Sequence, residues 1–310
     1  MDHRKALDGQ AMAIMLVLCI IWGLQQVVLK AAAADVTPLM QIALRTGIAA
    51  VLVGLLMARR GERIRISDGT WRPGLVVGFF FALEFLLVGE GLRFTTAAHM
   101  VVFLYTAPIF VALGLHWKLP AERLATLQWL GVALAFGGIV ITFFGREQPA
   151  KELAAMLWGD FLALGAGIAW AATTVAVRLS SLAREPATKT LFYQLAVSFV
   201  LLMLATIVLG QTGFKPTPLA WGSLLFQALV VSFASYLTWF WLLRHYLASR
   251  LGVFSFLTPL FGVAFGVWML DEPLEPSFLI GAILVCAGIV LVSGYSWIKT
   301  ITSSSPTRTT

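Results

Sequence analysis

Apolar runs of about 20 residues with few charges recur from one end of the chain to the other. A helix rising 1.5 Å per residue needs about that length to cross a hydrocarbon core of roughly 30 Å. In lipid the backbone polar groups must be satisfied within the spanning segment, which a helix does by itself. The alternative, burial in a water-soluble core, needs a polar shell that the chain does not carry. Charged residues are 12% and apolar residues 59% of the 310, against about 25% and 45–50% in soluble domains.

The candidate spans are residues 11–31, 38–58, 73–93, 96–117 and 125–145. A polar joint follows at 146–155, and then 156–178, 188–210, 219–243, 250–270 and 277–298. This predicts an all-α integral membrane protein with ten transmembrane helices, five in each of two units (11–145 and 156–298). The tail 299–310 is expected to be disordered. The first run is too long and evenly apolar, without a small-residue cleavage site, to be only a signal peptide. Lys and Arg are retained on the cytoplasmic side of spans. A cytoplasmic N-terminus places most of them there, leaving Lys30, Arg93, Arg146, Lys151 and Lys215 on the far side and Arg45 inside a span. Both termini are then cytoplasmic. The net charge of +7 reads as a topology signal and a contact with anionic headgroups of the lipid bilayer, with no nucleic acid implied.

The two units are copies. The stretch 254–294 repeats 102–142: Pro259 falls on Pro108 and Trp268 on Trp117, and after a loop one residue shorter Gly281 falls on Gly131 and Gly288 on Gly138. Upstream, Arg244 falls on Arg93 and Ala248 on Ala97. Five spans per copy is odd, so the second copy enters the membrane from the opposite side. Such inverted repeats are a recurring architecture of secondary transporters that expose one midplane site alternately to either side. A duplicated scaffold or passive channel is the competing reading.

The proline span, acidic turn and glycine-rich last span (FLTPLFGVAFGVWMLDEPLEPSFLIGAILVCAGIVLV, echoed by FLYTAPIFVALGLHWKLPAERLATLQWLGVALAFGGIVIT), with CIIWG at Trp22 and GIAWA at Trp170, resemble the drug/metabolite transporter superfamily. Within it they look like EamA-type permeases and most like YddG-type amino-acid exporters. The resemblance covers nearly the whole chain and implies export of amino acids or related small metabolites across the inner membrane. The first copy departs from the pattern, with LPAE and Glu122 where the second has Asp271 and Glu272. All three acids read as solvated turn residues.

Several residues stand out. Pro108 and Pro259 each remove a backbone donor, freeing the carbonyls of Leu104 and Ser255, and read as paired hinges or as packing kinks. Trp22 with Gln25 and Gln26, and Trp170 with Thr173 and Thr174, set an aromatic plate beside hydrogen-bonding groups, for substrate contact or helix–helix bonding. Glu84 lies mid-span, where a carboxylate is costly. It is a candidate proton or amine contact, or a structural partner of Arg45. Tyr105, Tyr236, Trp239 and Phe240 complete a cavity wall. Glu90 is expected to pair with Arg93 and His99 to be solvated. The seven-spaced glycines of the fifth and tenth spans fit helix packing.

Cys19 and Cys286 read as apolar fillers, the four histidines have no metal-ligand spacing, and no phosphate-binding loop occurs. No cofactor or metal is expected, nor an enzyme. The expected partners are the bilayer and a small-molecule substrate, amino acids first. A multidrug or cation exporter of the same superfamily is the alternative substrate class.

Overall fold

A computed structural model describes residues 8–62, 68–118, 123–144, 150–246, 251, 254, 255 and 257–303. Among these the protein is all-helical, with no strand beyond an isolated bridge between Val36 and Phe214. In chain order the helices are α1 (Gly9–Ala31), α2 (Pro38–Arg59), α3 (Trp71–Gly91), α4 (Ala97–Leu104), α5 (Ala107–Lys118), α6 (Thr126–Phe144), α7 (Ala150–Arg178), α8 (Ala187–Val208) and α9 (Pro218–Leu225). A π-helical segment (Phe226–Ser235) carries α9 into α10 (Tyr236–His245), followed by α11 (Leu257–Leu270) and α12 (Pro276–Ser303). Among the described residues seven helical stretches are long and apolar enough to cross a membrane, and three shorter apolar helices stand where the fifth, ninth and tenth spans are expected.

Local chemistry explains the main boundaries. Asp8, Thr37 and Thr217 cap α1, α2 and α9 by accepting from backbone N–H groups in the first turn, with Pro38 and Pro218 at the helix starts that tolerate a missing donor. Span four breaks at Tyr105 and Thr106 because Pro108 cannot donate. Thr106 compensates, its hydroxyl donating to Phe103 O (2.6 Å) and its carbonyl accepting from Ile109 N (2.9 Å). Two expected boundaries move. Helix α7 starts at Ala150 within the expected joint, where AKEL offers good helix formers and puts Glu152 in the first turn. Helix α12 runs to Ser303, into the expected disordered tail, because IKTITS holds neither Gly nor Pro. Residues 304–310, 146–149 and Glu122 lie outside the described residues.

The helix pairs have readable directions. Cys19 meets Phe254 and Gly23 meets Gly262, so α1 and α11 run parallel. Gly262 meets Val101 and Gly266 meets Ala98, so α11 and α4 run antiparallel. Gly159 meets Thr95 and Gly167 meets Leu104, so α7 runs parallel to α4. The closest pairing joins α6 to α12. A Cβ added to Gly131 would lie 2.9 Å from Gly288 O, and one on Gly138 would lie 2.5 Å from Gly281 O. Backbone meets backbone at both crossings, the close approach that small residues permit in lipid.

The buried core is continuous through α2, α3, α4, α7 and α8, with a second cluster around α1, α10 and α11. All eight residues of α4 are buried, against three of the twelve in α5. Helix α4 lies between α11, α7 and α1, whereas beyond the break α5 packs on α7 and α12. The chain therefore diverges from α11 past Tyr105.

Candidate functional site

The expected site residues form two aromatic groups and one polar layer. In the first group the Trp22 and Trp239 rings meet edge-on at 5.6 Å. The Trp22 indole N–H finds the partner that burial demands, donating to Ser235 Oγ (2.9 Å), which in turn donates to Val231 O (2.5 Å). Trp22→Phe keeps an aromatic ring but removes the indole N–H, its hydrogen bond and part of the packed volume against Trp239. A loss of about 1–3 kcal/mol is expected, read as a lowered melting temperature in detergent. In the second group Tyr105, just before the helix break, meets Trp170 edge-on at 5.2 Å.

The polar layer lies among α1, α2, α3 and the π-helical segment. Glu84 is 5% exposed, and its Oε2 has no hydrogen-bond partner. Arg45, wholly buried, donates through Nη1 to Gln227 Oε1 (2.5 Å) and sits 4.5 Å above the Phe85 ring. Phe85 stacks edge-on with Phe81, and Phe81 with Tyr236. Among the described residues no ion pair joins Arg45 to Glu84, although each feels the charge of the other and Arg45 also that of Tyr236. The structural-partner reading of Glu84 thus reduces to proximity.

Gln25 and Gln26 are both buried. Gln25 accepts Gln227 Nε2 through its backbone carbonyl (2.8 Å), and Gln26 Oε1 is unpartnered. Thr174 is exposed, with its hydroxyl donating to Trp170 O on its own helix (3.1 Å). Pro108 is the second residue of α5 and Pro259 the third of α11, each just past an interruption. Glu90 pairs with Arg93 as expected (2.7 Å) and also accepts from Gln211.

Two turn-region expectations fail. His99 is 1% exposed, stacked on Phe278 at 4.0 Å with Nδ1 3.1 Å from Asp160 Oδ2, while Thr95 donates to the same carboxylate. Glu272 is 7% exposed: its two oxygens accept from Ala97 N (2.6 Å) and Ala98 N (2.9 Å), the first N–H groups of α4. The positive φ of Asp271 (52°) turns the chain back and sends Glu272 onto that helix start, where the dipole favours an anion. Lys30 donates to Leu92 O and Thr95 O alongside. This end of the bundle is therefore knitted shut by long-range polar contacts. A 580 Å³ concavity lined by Lys30, Thr37, Arg93 and Gln211 opens at the same end and does not reach the polar layer.

Sequence reasoning overlooked Asp160, Gln227 and the π-helical segment. A lone acid in LWGDFLALG and a lone amide in SLLFQALVVSF were the available signals, since polar side chains inside spans are costly unless used.

Comparison with known proteins bears on the whole arrangement. The EamA-like transporter family matches residues 10–144 and again 157–294. The uncharacterized transporter YoaV of Bacillus subtilis is 25% identical over 273 residues, 88% of this chain and 92% of its own. A probable amino-acid metabolite efflux pump of Escherichia coli is 27% identical over 297 residues, 92% of this chain and 96% of its own. A protein solved by crystallography superposes with a TM-score of 0.64 at 20% identity, covering 96% of this chain and 100% of that one, and bears on the fold alone. A multi-pass helical chain matched twice over nearly its full length by one family belongs to it: this protein is a member of the EamA-like transporter family, within the drug/metabolite transporter superfamily.

Proposed function

We propose that the chain is a secondary transporter of the inner membrane that exports amino acids or related small metabolites by alternating access of two inverted five-helix repeats, residues 11–145 and 156–298. The observation that carries the reading is helix direction. Because α1 is parallel to α11, α11 antiparallel to α4 and α4 parallel to α7, the opening helices of the two copies run oppositely. The reciprocal Gly131–Gly288 and Gly138–Gly281 contacts support the same relation, since each maps onto the other when the copies are exchanged. The ten spans rest on the apolar runs, and both termini in the cytoplasm on the basic-residue distribution. The end joined through Glu272 then faces outward, with Pro108 and Pro259 as the hinges about which it would open. The two aromatic groups and the Glu84 layer form the substrate path. The substrate class draws on the relatives named as efflux pumps.

Purified protein in liposomes is expected to catalyse uptake of radiolabelled amino acids that is accelerated by unlabelled substrate on the far side. Flux without such acceleration indicates a channel, and acceleration only by drug cations indicates the alternative substrate class. Glu84→Gln is expected to lower flux at least tenfold and flatten its pH dependence, through loss of a carboxylate whose charge is felt by Arg45, Tyr105 and Tyr236. Unaltered flux and pH profile would remove Glu84 from the mechanism.

A further inference from the structure

Two opposite charges buried in one layer gain most by touching, because an unpaired charge in low dielectric is costly. Arg45 and Glu84 do not touch. Arg45 is turned toward Gln227, and Gln227 is itself fixed by donating to Gln25 O (2.8 Å). Arg45 Nε and Glu84 Oε2 are both left without a hydrogen-bond partner. Gln26 Oε1 and Ser232 Oγ, on the two elements that meet at Gln227, are likewise buried and unpartnered. Buried polar atoms are bonded in about nine cases of ten, so an orphaned guanidinium nitrogen and an orphaned carboxylate oxygen that feel each other's charge mark a place built for something else. The π-helical turn contributes here. Its wider ring carries Gln227, which reaches Arg45 on α2 and Gln25 on α1, and such turns cluster at functional sites.

We propose that Arg45 and Glu84 are the two ends of a clamp for a dipolar ligand, Arg45 taking a carboxylate and Glu84 an ammonium group, as on a single α-amino acid. The proposal rests on the amino-acid reading given above. Gln227 is a positioning residue: it occupies one nitrogen of the guanidinium and leaves Nε for the ligand. The Phe81, Phe85 and Tyr236 rings flank the charges with apolar surface, which suits a hydrophobic side chain. A ligand with only one charge satisfies one residue and strands the other, so discrimination against amines, quaternary cations and simple carboxylates is built in.

The test uses the full chain in detergent micelles, with binding measured by calorimetry for L-phenylalanine, its methyl ester, its N-acetyl derivative and phenethylamine. L-Phenylalanine is expected to bind best and each single-charge derivative about tenfold or more weaker. Arg45→Gln should weaken L-phenylalanine while leaving the methyl ester unchanged, and Glu84→Gln should weaken L-phenylalanine while leaving the N-acetyl derivative unchanged. The ligand series on the unaltered protein needs neither variant to fold. Methyl ester or N-acetyl derivative binding as tightly as the parent overturns the clamp and leaves the amino-acid reading standing. Binding of ethidium with none of the four overturns both.

Discussion

Glu272→Ala is expected to loosen the closed end of the bundle and shift the protein toward the opposite-facing form. The carboxylate accepts from Ala97 N and Ala98 N across 175 and 174 residues of sequence, so it is a contact between the two copies rather than a cap within one. Its removal strands two buried N–H groups at a helix start. Hydrogen bonds to a charged group contribute about 1.5–3 kcal/mol and stranded donors cost about 1–3. A bias of about 3 kcal/mol on the closed form corresponds to a change of roughly 100-fold in the closed-to-open ratio. A single cysteine at Ala98, in a background with Cys19 and Cys286 replaced, should react with a membrane-impermeant maleimide about 100-fold faster in Glu272→Ala. Glu272→Gln, which keeps one acceptor, should fall between. Equal labelling of all three would show that the contact does not hold this end closed. Gly266 belongs to the same arrangement, because a Cβ there would press on Glu272 Oε2 at 2.5 Å.

Gly288→Leu is expected to have the largest effect on stability. An added Cβ at Gly288 collides with Gly131 O and meets Ala135 Cβ at 2.8 Å, and the reciprocal crossing at Gly138 and Gly281 is as tight. The obstacle is backbone, which cannot rotate away as a side chain can. Overpacking costs about 1–3 kcal/mol even where side chains can yield, so the upper end or beyond applies, and α6 and α12 should part. Melting temperature in detergent and the yield of monodisperse protein should both fall sharply. Gly137, one residue from Gly138 with open space around it, supplies the control. Gly137→Ala should be neutral or slightly stabilising. Equal melting of the Gly288→Leu variant and the unaltered protein would mean that the glycine crossing is not what joins these two helices.

The glycine crossing shows what kind of information a sequence carries. Gly131, Gly138, Gly281 and Gly288 stand out by spacing alone, and the helices meet through them. Pro108 likewise announces a break, and the chain breaks at Tyr105 and Thr106. Glu90 and Arg93, three apart where α3 ends, pair as the spacing of a helical turn suggests. In each case the cause lies within a few residues or within one repeat period. The same cannot be said of Glu272 and His99, which read as solvated turn residues and are buried. Nor does spacing reveal that Arg45 would turn to Gln227 rather than to Glu84, or that Trp22 would donate to Ser235.

What the sequence determined by itself is therefore the solvent, the helical character, the duplication and the places where helices break or approach closely, because apolar run length, missing donors and missing side chains act locally. Tertiary structure alone decided which polar side chains answer one another. The partners of Glu272, Asp160, Arg45 and Trp22 lie 175, 61, 182 and 213 residues away. The reason is electrostatic: in a low-dielectric interior each buried polar group is driven to find a donor or acceptor, and which one it finds depends on helix directions and rotations that no single helix contains.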